Sequence, residues 1–90
     1  MPYQTEFPDF PASDMPAIPA GWQDVSFRND ACPSFSKGVF LLYVNYADPA
    51  KREFPETPRF SVHYFEGSHP AICESDNWQE ILDAIIDAEI

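Results

Sequence analysis

The chain is poor in glycine, in positive charge and in cysteine, and each shortage closes off a class of function. Three glycines, Gly21, Gly38 and Gly67, stand isolated among ninety residues, so no Gly-rich loop is present to cradle a phosphate. Five Lys and Arg against fifteen Asp and Glu leave a net charge of −10. Nucleic acid and anionic membranes repel such a chain, while a basic surface attracts it. Two cysteines, Cys32 and Cys73, are too few for a disulfide scaffold, and reduced thiols are expected. No segment approaches the roughly 18 apolar residues that mark a membrane span. The first ten residues have neither the basic start nor the apolar stretch of a secretory signal, so a cytoplasmic location is expected.

What the chain does contain is apolar and aromatic material. Residues of apolar type make up 44% and aromatics 16%, enough to drive folding despite the charge. A chain of this length has room for one modest core and one domain. Half of the ten prolines fall in the first twenty residues: Pro2, Pro8, Pro11, Pro16 and Pro19. Proline fixes φ and removes a backbone donor, so residues 1–20 are expected to form an extended arm without helix or central strand. Tyr3, Phe7, Phe10, Met15 and Ile18 give that arm apolar groups with which to wrap its own domain or dock on a partner.

The folded domain is expected over residues 21–90. Alternation in Trp22–Arg28, with Val25 and Phe27 on one face, reads as a half-buried strand. Residues 29–34 read as a turn, and Val39–Ala47 carries the strongest strand signal. Lys51, Arg52 and Arg59 sit in or beside a Pro-rich connection and read as a solvated loop. Arg59–Glu66 is a third strand, with Phe60, Val62 and Tyr64 opposite Ser61, His63 and Phe65. A turn at Gly67–Pro70 leads into a short strand at Ala71–Glu74. Asp76 as N-cap, with Gln79 three residues on, opens a helix. Trp78, Ile81, Leu82, Ile85 and Ile86 recur at helical spacing and face the sheet. The predicted fold is α+β: an antiparallel meander of three to four strands, one C-terminal helix packed on it, and the Pro-rich arm in front. Both faces of Val39–Ala47 are apolar, so the face away from the helix is expected to be covered by the arm or, failing that, by a second copy.

The charge is concentrated. Residues 1–27 sum to −4, residues 28–59 to +1 and residues 60–90 to −7, the last without a single Lys or Arg. Asp76, Glu80, Asp83 and Asp87 are spaced 4, 3 and 4 apart, which puts them in one row on one helix face. At about 1.5 Å rise per residue, neighbours lie roughly 5–6 Å apart along the axis, close to the spacing of phosphates along a strand of DNA. Like charges at this spacing oppose the helix by a few tenths of a kcal/mol per pair, and anions near its C-terminus oppose the dipole. The expected partner-binding residues are therefore Asp76, Glu80, Asp83 and Asp87, extended by Glu66 and Glu74.

Catalytic and metal-binding patterns are weak. His69 and Cys73 are the only local ligand pair and match no zinc spacing. Cys32 is followed by Pro33 and shows no orienting group. Carboxylate pairs such as Asp83 with Asp87 lack any source of pKa tuning. No enzyme activity, cofactor or metal is expected.

A small acidic α+β chain with the Asp76, Glu80, Asp83, Asp87 row and no catalytic motif resembles phage and prophage inhibitors of DNA-handling enzymes, among them anti-CRISPR proteins and other DNA mimics. The resemblance rests on size, charge distribution and the row, and covers the C-terminal third. It implies binding to the Lys- and Arg-rich channel of a CRISPR effector complex, occlusion of target DNA, and action in the host cytoplasm. The partner is then a basic protein surface, without direct contact to nucleic acid or membrane, and the inhibitor a monomer or homodimer. The alternative is an assembly module that binds through the arm and the apolar sheet face of Val39, Leu41 and Tyr43.

Overall fold

The structure, a computed structural model, describes residues 3–30, 32–52, 55–64 and 71–89. Its elements are α1 (Tyr3–Glu6), β1 (Gln23–Asp24), β2 (Ser34–Lys37), β3 (Phe40–Val44), β4 (Phe60–Tyr64), β5 (Cys73–Ser75) and α2 (Trp78–Glu89), with 3-10 turns at Ala12–Asp14 and Pro49–Lys51. The five strands form one antiparallel meander in the order β1-β2-β3-β4-β5. The α+β architecture with a single C-terminal helix is as the sequence indicated, with one strand more.

The extra strand is β2, whose Ser-Phe-Ser-Lys composition carries little alternating hydrophobicity. It forms because Gly38 closes a tight hairpin. Lys37 pairs with Phe40, leaving Gly38 and Val39 as a two-residue loop. Gly38 has φ +58° while Val39 keeps a negative φ, the pattern of a turn that wants glycine first. The preceding strand is shorter than its alternation implied. The Asp24 carboxylate accepts from Ser26 N at 3.0 Å and turns the chain. Ser26, not Phe27, is then buried: its Oγ accepts from Ser34 N at 3.1 Å, while Phe27 is half exposed.

Register assigns the faces. Phe35, Leu42, Val62 and Cys73 lie in one cross-strand row, and Val44 and Phe60 in the next. These point into the core with Ile81 and Ile85 of α2. The helix packs on β4 and β5. A helix about 10 Å wide spans only about two strands at roughly 4.8 Å spacing, so the rest of this face needs other cover. The N-terminal segment supplies it: Phe7 and Phe10 join the same core cluster, and Tyr3, Met15 and Ile18 pack against it.

This corrects two expectations about the arm. It contains a helical turn, α1, and the 3-10 turn Ala12–Asp14. It also shares the helix side of the sheet instead of covering the opposite side. The opposite side carries Ser34, Tyr43, Ser61 and Glu74 in one row and Gln23, Ser36, Leu41 and His63 in another. The apolar second face of β3 is thus diluted by the polar residues of its neighbours, and an antiparallel sheet so patterned can face water.

The basic connection also differs from a solvated loop. Arg52 donates to the carbonyls of Tyr46 at 2.6 Å, Thr57 at 2.7 Å and Ala47 at 3.2 Å, so one guanidinium ties both ends of the connection together. Cys32 and Cys73 are unbridged. No described helix is long and apolar enough to cross a membrane.

Candidate functional site

The helix α2 begins one residue later than the sequence suggests. Asn77 is its cap, its Oδ1 accepting from Gln79 N at 2.9 Å. Asp76 instead accepts from the backbone N of Arg59 at 2.7 Å, fastening the helix entry to the start of β4. The Gln79 side chain does not return to the cap, as a capping box would require. Its Nε2 donates forward to Asp83 Oδ1 at 3.1 Å.

The expected acidic row is therefore divided. Glu80, Asp83 and Asp87 are exposed on α2 while Ile81 and Ile85 are buried, so these three share the water-facing side. Asp76 lies outside the helix with its carboxylate engaged. Glu74 is exposed on β5, on the side of the sheet away from the helix. Glu66 and the Gly67–Pro70 turn lie outside the described residues. Beside the row, Ile86 is 59% exposed, giving the face an apolar centre flanked by Asp83 and Asp87.

Four of the five cations are committed elsewhere, and Lys51 is exposed in the 3-10 turn Pro49–Lys51. Arg28 meets Glu6 at 3.5 Å, Arg52 holds its three carbonyls, and Arg59 donates to the Asp14 carbonyl with its guanidinium 4.8 Å from the Phe60 ring centre. Lys37 pairs with Glu89 at 3.3 Å, at the end of α2. Among the described residues no cation pairs with Glu80, Asp83 or Asp87. Their field reaches solvent without internal compensation, which favours association with a positively charged surface.

A second feature was not apparent in the sequence. On the sheet side away from α2 lies a cavity of about 260 Å³, lined by Asp30, Cys32, Tyr43, Asn45, Ser61 and the stretch 57–59. Burial, then the Asp30 carboxylate, then Cys32, push the Tyr43 hydroxyl above its ordinary pKa. Asn45, a buried polar residue just after an apolar strand, was the available signal. Its Oδ1 accepts from Tyr46 N at 3.0 Å. No group of three or more His, Cys, Asp or Glu among the described residues is arranged to hold a metal ion.

Set beside known proteins, the chain matches no family model, no curated protein and no solved structure.

Proposed function

We propose that the chain is a non-enzymatic acidic inhibitor that binds a basic DNA-binding surface of a nucleic-acid-handling complex. In its most specific form it is an anti-CRISPR protein that keeps target DNA from a CRISPR effector complex. The observation behind this reading is the outer side of α2, where Glu80, Asp83 and Asp87 are exposed and unpaired by any described cation. Asp76, whose carboxylate accepts from Arg59 N, and Glu74, on the other side of the sheet, stand apart from these three. A solvated helix built only for stability gains from interspersed lysines, and α2 has none.

The arm does not favour the alternative interaction module. Phe7 and Phe10 are 7% and 6% exposed, so their apolar surface is spent inside the chain's own core. The test is capture of partners from a bacterial lysate at low and high salt, with wild type and with the Glu80→Gln, Asp83→Asn, Asp87→Asn triple variant. A basic nucleic-acid-handling protein retained at low salt, released at high salt and lost with the triple variant supports the reading. A partner that survives both changes overturns it.

A further inference from the structure

The cavity on the far side of the sheet is a partly open, chemically mixed site that the acidic helix does not account for. Two of the groups around it are charged. The Arg59 guanidinium is turned toward the arm: it donates to the Asp14 carbonyl and lies 4.8 Å from the centre of the Phe60 ring, on the helix side of the sheet. The Asp30 carboxylate is exposed and has no hydrogen bond or ion pair among the described residues. The charge left facing the cavity is that of Asp30, which, after burial, is the next cause that raises the pKa of the Tyr43 hydroxyl.

The remaining lining narrows the guest. Thr57 and Ser61 bring hydroxyls and Tyr43 an aromatic ring. The Ser61 hydroxyl is 3.0 Å from His63 Nε2, which holds it in place, and the Tyr43 ring is steadied by an edge contact with the His63 ring at 5.5 Å. A lone carboxylate is a poor seat for a hard metal ion, which wants several oxygen ligands. A planar cation with donors on several edges fits better: one side pairs with Asp30, other N–H groups reach the hydroxyls, and the flat face lies against the ring. At about 260 Å³ the cavity has room for such a group and the end of its alkyl stem.

We infer that this cavity binds the guanidinium of an arginine side chain presented by a partner polypeptide, with Asp30 as the ion partner and Tyr43 as the stacking wall. The site is on the opposite side of the sheet from α2 and does not depend on the acidic row.

The experiment is an NMR titration of the full chain, following the backbone amides of Tyr43, Asn45 and Ser61. The probe is an acetylated and amidated Gly-Arg-Gly peptide, compared with its citrulline analogue, which keeps the shape and loses the charge. Saturable shifts at these residues with a Kd on the order of millimolar are expected for so small a ligand. Binding weakens by about fivefold or more in Asp30→Asn, the scale of one partly exposed ion pair. It is unchanged in the Glu80, Asp83, Asp87 triple variant, which separates this site from the function proposed above. Equal binding of the citrulline peptide, shifts that follow α2 instead of the cavity, or absence of saturation overturns the inference. Free arginine binding more than about fivefold tighter than the peptide overturns the polypeptide source.

Discussion

The N-terminal segment and the C-terminal helix are both acidic, yet their carboxylates are used in opposite ways. In the first region nearly every acid has a task. Asp24 accepts from Tyr3 N at 2.7 Å and from Ser26 N at 3.0 Å. Asp9 accepts from the Tyr46 hydroxyl at 2.9 Å. Glu6 is buried against Arg28, accepting from its backbone N at 3.3 Å and its Nε at 3.5 Å. On α2, Glu80 and Asp87 have no hydrogen-bond partner among the described residues, and Asp83 only the amide of Gln79. A count of charges treats the two regions alike. The difference lies in whether a donor is folded into reach, and it separates acids that hold the arm in place from acids left facing the solvent.

That contrast can be broken most forcefully from the arm. Phe10 packs against the rings of Tyr3 at 5.8 Å and Tyr46 at 4.9 Å. Phe10→Ala is expected to cost about 3–5 kcal/mol in urea unfolding, the usual range for a buried aromatic. A cost near zero would mean that the arm is an appendage and that its acids hold nothing. Asp24→Ala comes next. It strands two backbone N–H groups in a partly buried place and is expected to cost about 1–3 kcal/mol by the same measurement.

Tyr46 sharpens the contrast through pH. Burial, followed by its hydrogen bond to Asp9 and the charge of that carboxylate, pushes its pKa up to about 12. A folded-state value above the unfolded value of about 10 means that the folded form holds this proton more tightly. The resulting stability is complete below pH 10 and drains away as pH rises from 10 to about 12. Alkaline unfolding followed by tryptophan fluorescence is expected to show this loss, and Tyr46→Phe to remove the part that depends on the hydroxyl. The smallest effect belongs to α2. Neutralising Glu80, Asp83 and Asp87 singly is expected to leave the melting transition unchanged or raise stability by up to about 0.5 kcal/mol each. A loss above about 1 kcal/mol at any of them would make that acid structural after all.

The strands that were legible in the sequence are those with a strong period of two. β3 and β4 bury Phe40, Leu42, Val44, Phe60 and Val62, as their alternation requires, and α2 buries Ile81 and Ile85 at helical spacing. β2 was illegible because its place is fixed by a hairpin turn and by Ser26, eight residues before Ser34, and not by its own hydrophobicity. Val25 and Phe27 misled because a single Asx turn at Asp24 reverses which side chains face inward. The three helical acids were legible as one face. Asp76 was not separable from them, because its capture by Arg59 N depends on where β4 begins. The cavity left almost no trace, since its lining is drawn from three separate stretches of chain, with Asn45 the single hint.

The meander and the arm also differ in how far apart in the chain their contacts are. Each strand pairs with its sequence neighbour, whereas the arm's bonds to Tyr46 and Arg59 span 37 and 45 residues. Local pairings close cheap loops and form early, while long closures wait until a surface exists to receive them. The expected order of folding therefore has the sheet and α2 assembling first and the arm seating afterwards. Unfolding runs in reverse, so amide exchange in residues 3–18 is expected to outpace that of β3 and β4. The prolines suit this order: a segment with few backbone donors to satisfy can remain extended in water until the sheet is ready for its two phenylalanines.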